Sequence, residues 1–448
     1  MFEFIQRWRL GKQYGYETLF KNQDTRPVGK TGVLMVEMGQ PEEYEFEFYD
    51  NYMHHVFRYM LPSFIRGIVL ADKGIVLVDP ENPIAREPFT PRQLIDPHGS
   101  FTNRDGKPYV ECEFTWCPPG MKKNPWDHGY FLYKDEGVNG APDICDKIGA
   151  KVVGWYYGNL IPEKKVAWRY QLRRAYDDAV AELEQEFSQA EFRQAYYVDS
   201  ASMQQAVDEL LAAGCETIVC QDYSNPLYTD FEDYAFTLPR LHKMVNGYAK
   251  VVYADQLGSQ PALREGYLRI IRDRLAELPP DASVFLIFSA HGHPFKKETL
   301  DARAHEYRDP LTQGARSILE ERGGRWDLTW SFDEYADSYW DPDNTKQETL
   351  TAYERAIKEG YDYAIEIPTD FPAENTDLMI FHAMKKFTVF SNYDRNDPVP
   401  YPNWDEPLVR TFHEGKTTGV YAGCPVGPYR KYVVEAMVNS VGGVLAQA

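Results

Sequence analysis

The chain of 448 residues is long enough for two or three domains, with a core that needs no disulfide or metal for stability. Its 68 acidic and 48 basic residues give a formal net charge of −20, which repels phosphate backbones and argues against nucleic acid as a partner. Hydrophobic residues make up 43% of the chain. No apolar run approaches the roughly 18 residues that a bilayer-spanning helix needs, so we expect no transmembrane segment.

Two features of composition bear on partners and location. Aromatic residues make up 15% of the chain, with 32 tyrosines, which is typical of wide apolar surfaces and is compatible with a homo-oligomer. Residues 1–12 lack the pattern of a signal peptide, and their apolar side chains are expected to pack on the body of the protein. A weak peripheral contact with a membrane is the alternative for this segment.

The six cysteines form no C-x-x-C pair and show no zinc-ribbon spacing, so no iron–sulfur cluster is expected. Cys215 and Cys220 flank a strand-like run and are predicted to be small buried side chains. Reduced thiols are typical of a cytoplasmic protein, which is the location that we expect.

The N-terminal part of the chain begins with a strand and then changes character. Residues 32–39 are typical of a buried strand that runs into a glycine turn, and an aromatic-rich helix is predicted over residues 43–61. From about residue 80 to residue 150 the sequence is rich in Pro, Gly, Asp and Trp, without helical periodicity. Long segments of this kind inside a compact domain are usually functional. We therefore predict an irregular insertion that covers a site or builds an interface.

From residue 168 onward, helical periodicity alternates with short apolar runs. The predicted helices are residues 168–187, 202–213, 234–245, 261–277, 312–321, 346–359 and 376–386, with one more after Pro428. The predicted strands are residues 192–198, 216–221, 250–255, 283–289, 326–331 and 361–367. This alternation predicts an α/β fold with two Rossmann-like lobes, each a parallel sheet flanked by helices.

The lobes are assigned to residues 1–258, including the insertion, and residues 259–448, with a last helix that is able to pack back on the first lobe. In parallel sheets of this type, ligands bind beyond the carboxyl ends of the strands. That rule selects the segments that follow five strand ends, at Met38, Gln221, Ser289, Ser331 and Ile367.

The clearest candidate for chemistry is His291, which follows the apolar run of residues 284–288 in the segment 288–294 (FSAHGHP). A histidine one step past a buried strand is placed to project into the crevice at the edge of the sheet. Its imidazole titrates near neutral pH and, when neutral, binds a metal ion or accepts a proton. Gly292 permits a tight turn directly after it.

Residues 289–294 resemble the signature of ferrochelatases, which insert ferrous iron into a porphyrin. Further segments follow in the family's order. Residues 307–313 (YRDPLTQ) resemble its Gly-Asp-Pro-Tyr stretch, which opens a helix. Residues 330–343 resemble its Gln-Ser segment with a downstream Trp, and residues 368–371 (PTDF) resemble its Pro-Ile-Gly-Phe segment. Counting weaker matches at residues 34–41 and 206–223, the similarity spans roughly residues 30–60 and 165–390, as in a divergent member with an insertion.

The resemblance implies a set of functional residues. His291 would be a metal ligand or a proton acceptor. The family's acidic residue falls on Asp377, one methylene shorter, and would share the metal with His291, while Glu374, one helical turn earlier, is the alternative carboxylate. The porphyrin would be bound by Met38, Tyr223, Tyr228, Ser289, Trp330 and Phe371. The divalent metal, Fe²⁺ or another, is a substrate in this interpretation, and no tightly bound cofactor is expected.

Several positions depart from the family's pattern, and they concern the pocket wall more than the fold. Glu37 and Gln40 replace small or amide residues and Thr, and residues 223–228 (YSNPLY) replace a Tyr-Pro-Gln-Tyr loop. Two alternatives therefore remain beside ferrochelatase activity in haem or related tetrapyrrole metabolism. One is an enzyme of the same fold with metal-assisted lyase or hydrolase chemistry on a smaller aromatic compound. The other is a non-catalytic carrier of haem or metal.

Overall fold

The computed structural model describes residues 26–37, 39, 90–93, 109–116, 126–133, 168–196, 200–222, 238–290, 299–332, 347–369, 371–374 and 406–448. The predicted helices over residues 43–61 and 376–386 lie outside these ranges.

The first sheet is a parallel sheet of four strands in the order β5-β1-β6-β7. Its strands are β1 (Thr31–Glu37), β5 (Glu191–Tyr196), β6 (Thr217–Asp222) and β7 (Lys250–Tyr253). The central strand β1 consists of buried residues throughout, because helices cover both faces of the sheet. The helices of this lobe are α1 (Trp168–Glu186), α2 (Ser200–Ala212) and α3 (Leu238–Val245).

Gly32 identifies which helix covers which face of this sheet. A Cβ at Gly32 would lie 2.7 Å from Leu210 Cδ2 of α2, so the glycine allows strand and helix to approach closely. Since side chains alternate along a strand, Val33 and Met35 face the opposite side.

The second sheet has five strands in the order β11-β12-β10-β8-β9, parallel except for the edge strand β11. Its strands are β8 (Val284–Ala290), β9 (Trp326–Phe332), β10 (Tyr363–Pro368), β11 (Arg410–Glu414) and β12 (Thr417–Tyr421). The accompanying helices are α4 (Pro261–Ala276), α5 (Thr299–Arg322), α6 (Thr349–Glu359) and α7 (Arg430–Leu445). α6 ends at Gly360, which adopts the left-handed conformation with φ 68°.

Both lobes place their four parallel strands in the same order. In each, the first strand of the lobe lies between the second and the third, and the fourth follows the third. The predicted α/β fold of two parallel sheets flanked by helices is therefore confirmed. The predicted lobe boundary after residue 258 falls in the 3₁₀ turn Leu257–Ser259.

One hydrophobic cluster continues from the first sheet through α7 and α4 to the second sheet. α7 packs against both α1 and α4. Its first residue, Arg430, pairs with Asp178 of α1 at 3.0 Å, and the Ser440 hydroxyl donates to the backbone carbonyl of Asp255. The last helix thus contacts elements of both lobes.

Two further elements differ from the expectations. Within the insertion, β2 (Thr90–Gln93), β3 (Tyr109–Trp116) and β4 (Trp126–Tyr133) form a separate antiparallel sheet, so part of that segment is regular. The hairpin of β11 and β12 was not predicted. A two-residue turn at Gly415 and Lys416 joins its strands, with Gly415 at φ 59°, and this turn between β-prone runs is the signal that marks it.

The prediction that residues 307–313 open a helix is wrong. α5 begins at Thr299, and Pro310 lies in its interior. A proline usually marks the first turn of a helix because its missing N–H has no partner there anyway. Here the burial of Tyr307, Leu311 and Ala315 along one side of α5 accompanies the continuation of the helix through the proline.

Candidate functional site

The strand order selects one position at the carboxyl edge of the second sheet. β8 is flanked by β9 on one side and by β10 on the other, so the connections from β8 and β10 leave in different directions. Ligands of open α/β sheets bind in the crevice outside such a switch point. The chain continues there from Ala290 into residue 291 and from Pro368 into the segment that ends at Glu374.

Hydrogen bonds fix the two strand ends to each other. Ser289 of β8 lies opposite Pro368 of β10 in the strand register. Thr369 then donates twice to the carbonyl oxygen of Ser289, from its backbone N–H at 2.9 Å and from its hydroxyl at 2.8 Å. The Tyr267 hydroxyl of α4 donates to the carbonyl of Thr369 at 3.2 Å. The segments that begin at residues 291 and 370 therefore leave from a fixed common point.

Ser289 has hydrogen-bonding capacity that its surroundings leave unused. The side chain is 1% exposed, and its Oγ makes no hydrogen bond to any residue that the structure describes. The neighbouring Ser331 of β9, opposite Ser289 in register, is also buried, but its hydroxyl is paired with Thr349 Oγ1 at 2.9 Å. Buried hydroxyls without partners are uncommon and mark sites that take a water or a ligand.

Glu374 is fully buried and holds two hydrogen bonds. Its Oε2 accepts from the Tyr421 hydroxyl at 2.9 Å, and its Oε1 accepts from the backbone N–H of Cys424 at 2.8 Å. Burial and then the nearby Glu374 carboxyl raise the pKa of Tyr421 well above its usual value, so the phenol stays neutral and donates. The carboxyl group thus ties the segment after β10 to the end of β12.

The other two described residues of the predicted site occupy different surroundings. Phe371 is 4% exposed and belongs to the hydrophobic core. Trp330 is opposite Phe288 in register, one position away from the Ser289 row, and so lies on the other face of the sheet. The Trp330 indole N–H donates to Thr312 Oγ1 at 2.9 Å. The strand ends therefore bring Ser289 close to the segment of Phe371 and Glu374, whereas Trp330 points away from Ser289.

The remaining predicted site residues lie outside the described part of the chain: His291, Asp377, Met38, Tyr223 and Tyr228. Their roles, and the metal site between His291 and Asp377, stay predictions. Among the residues that the structure does describe, no group of three or more His, Cys, Asp or Glu side chains is arranged to hold a metal ion.

The first sheet has an equivalent switch point, and the segments after Met38 and Gln221 at its edge were among those that the sequence selected. β1 lies between β5 and β6, and it ends at Glu37, which is 2% exposed. On β6, Gln221 is 1% exposed, and neither its Nε2 nor its Oε1 has a hydrogen-bond partner in the described ranges. In the sequence, Gln221 and Asp222 form a polar pair at the end of the apolar run that becomes β6.

A cavity borders the segment that carries Glu374. It is a small cavity of about 10 Å³, open in part to solvent, and lies between the first turns of α1 and α7. Gln171 of α1 and Arg430 of α7 line it together with Ala373, the residue before Glu374. The cavity is therefore lined both by α1, the first described helix of the chain, and by α7, the last.

No described helix is both long enough and apolar enough to cross a membrane. Among the described cysteines, Cys215, Cys220 and Cys424 are reduced and buried, which confirms the prediction for the first two.

Comparison with known proteins gives likenesses of structure alone. No family model matches the sequence, and no curated protein matches it. SirB from Bacillus subtilis with Fe3+ is 12% identical over 61% of this chain and 90% of its own, at a TM-score of 0.35. DR2241 from Deinococcus radiodurans, described as similar to chelatases but with two additional novel domains, is 12% identical over 61% of this chain and 50% of its own, at 0.33.

A putative LacI-family transcription regulation repressor from Corynebacterium glutamicum is also 12% identical, over 61% of this chain and 88% of its own, at a TM-score of 0.26. Because these scores lie below 0.5 and the proteins differ in function, the likenesses assign neither a family nor an activity to this chain.

Proposed function

We propose that this chain is a chelatase that inserts a divalent metal ion, Fe²⁺ in the first instance, into a porphyrin. The observation that carries the proposal is the junction of β8 and β10. Thr369 donates two hydrogen bonds to the Ser289 carbonyl, and these bonds hold the ends of β8 and β10 together at a switch point. The segment with His291 follows β8 in the sequence, and the segment with Glu374 and Asp377 follows β10. The order of the sequence motifs in the two halves of the chain adds to this argument.

Metal insertion needs two proton acceptors, because two pyrrole N–H groups lose their protons as the metal sheds its water. In the proposal the neutral imidazole of His291 accepts one proton. A carboxylate across the pocket takes the second proton. The metal ion is a substrate, so this chemistry requires no tightly bound cofactor and no iron–sulfur cluster.

The contacts of Glu374 favour Asp377 as that carboxylate. Both oxygens of Glu374 are engaged by the Tyr421 hydroxyl and the Cys424 N–H, and the side chain is 0% exposed. A proton acceptor must reach its substrate within hydrogen-bond distance. We therefore propose that Asp377 faces His291, and that Glu374 anchors the segment on which Asp377 follows three residues later.

The proposal is tested by anaerobic incubation with Fe²⁺ and either protoporphyrin or coproporphyrin, with the loss of porphyrin fluorescence as the signal. We expect His291→Ala and Asp377→Asn each to lower the rate by about 100-fold or more, as removal of a general acid or base does. His413→Ala is the matched control, because His413 lies on the edge strand β11 with an exposed side chain. Its rate should equal that of the wild type.

Other outcomes select the alternatives. Tight porphyrin binding without metal insertion would indicate a carrier of haem or metal. Absence of porphyrin binding would indicate the divergent enzyme with a smaller aromatic substrate. An unchanged rate in His291→Ala would contradict the proposed role of that residue.

A further inference from the structure

The switch point of the first sheet contains a buried amide with unused hydrogen-bonding capacity. Gln221 lies at the end of β6, directly beside β1, where the order β5-β1-β6-β7 reverses direction. Its side chain is 1% exposed, and neither Nε2 nor Oε1 is paired with any residue that the structure describes. Burying an amide without partners is costly, and native proteins rarely do so away from water or ligand sites.

Two buried hydroxyls of the same region are paired, whereas both polar atoms of the Gln221 amide lack a partner among the described residues. The Thr217 hydroxyl, at the opposite end of β6, is fully buried and donates to the Val28 carbonyl at 2.7 Å. The Ser440 hydroxyl of α7 donates to the Asp255 carbonyl. The Gln221 amide thus offers an unpaired NH2 group, a donor, and an unpaired oxygen, an acceptor, on a single planar group.

The side chain of Gln221 lies on the face of the first sheet opposite α2. Gln221 is opposite Met35 in the register of β1 and β6, and Met35 alternates with the residues that face α2. β6 also contacts α7, which packs in turn against α4. The amide therefore lies on the face away from α2, in a strand that the last helix contacts.

We propose that Gln221 binds a neutral carboxamide group of the ligand. The Nε2–H group would donate to the carbonyl oxygen of that group, and Oε1 would accept from its N–H, giving two parallel hydrogen bonds. An ester or an ionised carboxylate has no proton for Oε1 and leaves it unpaired. The identity of the ligand rests on the proposed function: it would be a porphyrin with a carboxamide on one of its side chains. Gln221 would then select among tetrapyrroles by their side chains.

The first test compares binding of three porphyrins by absorbance titration without metal: mesoporphyrin diamide, its dimethyl ester and the free diacid. The wild type should bind the diamide about tenfold more tightly than the ester or the diacid. With either of these two ligands one hydrogen bond is missing, and Oε1 of Gln221 stays buried without a donor. Gln221→Met preserves length and volume, and should remove this preference. Gln185→Leu on the exposed face of α1 is the control and should retain it.

The second measurement separates a ligand-binding role from a structural one. Replacing an unpaired buried amide by an apolar side chain should raise the melting temperature of the ligand-free protein by about 2 °C, whereas loss of a structural hydrogen bond would lower it. Gln221→Leu provides a second variant for the same measurement. A lower melting temperature in both variants would overturn the proposal.

Three further outcomes of these experiments would support or contradict the proposed role of Gln221. Equal binding of diamide and diester by the wild type would mean that water satisfies Gln221, and would overturn the proposal. Diamide preference without metal insertion would leave it standing while the chelatase proposal fails. If no porphyrin binds, stabilisation by benzamide but not by methyl benzoate, lost in Gln221→Met, would support the carboxamide site, and its absence would refute it.

Discussion

The hydroxyl of Tyr421 donates a 2.9 Å hydrogen bond to Oε2 of Glu374, joining residues that lie 47 positions apart in the sequence. Tyr421 ends β12, a strand of the hairpin that the sequence analysis did not predict, and Glu374 ends the described segment after β10. The contact therefore links an edge hairpin of the second sheet to the segment that leads to Asp377.

Tyr421→Phe should lower the free energy of unfolding by about 1–3 kcal/mol, because an oxygen of a buried carboxyl group loses its donor. Denaturant unfolding at neutral pH measures this. Tyr429→Phe, which removes a hydrogen bond to the partly exposed Asp273, is the matched control and should cost less. Equal losses in the two variants would contradict the anchoring role of Glu374.

The loss of folding stability at alkaline pH should also depend on Tyr421. Its pKa is raised in the folded protein, so the stability that its neutral form contributes is complete below the unfolded value of about 10 and is lost as the pH rises beyond it. Melting temperatures between neutral pH and pH 11 should fall less steeply for Tyr421→Phe than for the wild type.

The junction of β8 and β10 predicts different consequences for two similar substitutions. Thr369→Val removes the 2.8 Å bond to the Ser289 carbonyl, and Thr417→Val removes a 2.6 Å bond to the Tyr361 carbonyl. Both threonines are buried, so each variant should lose about 1 kcal/mol of stability. Only Thr369→Val should also lower the rate of metal insertion, because Thr417 lies at the amino end of its strand. The same rate in both variants would argue against the junction as part of the site.

Acid stability should depend on Asp362, at the amino end of the second sheet. Its carboxyl accepts from the backbone N–H of Ser283 at 2.8 Å and from the Ser283 hydroxyl at 2.6 Å, and these bonds lower the pKa of Asp362 to about 2. A lowered pKa stabilises the fold above the unfolded value of 3.8, and this contribution is lost as the pH falls to about 2.

Asp362→Asn should therefore flatten the decline of the melting temperature between pH 4 and pH 2. Since the Asp362 side chain is 40% exposed, solvent screening limits the effect at neutral pH to about 1 kcal/mol. Ser283→Ala should reproduce most of the flattening. A wild-type slope in both variants would contradict the assignment.

Pro310 in the interior of α5 predicts a stabilising substitution. Proline lacks the N–H that a helix interior uses and its ring crowds the preceding turn, so Pro310→Ala should raise the free energy of unfolding by about 1–3 kcal/mol. Thermal unfolding provides the measurement. A loss of stability would mean that the proline stabilises the local conformation of α5.

The sequence was informative wherever local hydrophobicity and length decide the structure. The buried strands β1 and β8 and the helices α1, α4 and α7 follow from their apolar periodicity and from the Gly and Pro residues around them. The alternation of these elements was enough to predict parallel sheets flanked by helices. It was also enough to select strand ends, including Ser289, as places for a site.

Tertiary structure decided the rest, because those features depend on partners distant in the chain. The continuation of α5 through Pro310, the addition of the hairpin after residue 410, and the pairing of Glu374 with Tyr421 each depend on packing that no local pattern encodes. The order of the strands likewise results from how helices cover both faces of each sheet. Only that order shows that Gln221, which the sequence marked as one strand end among five, lies buried at a switch point.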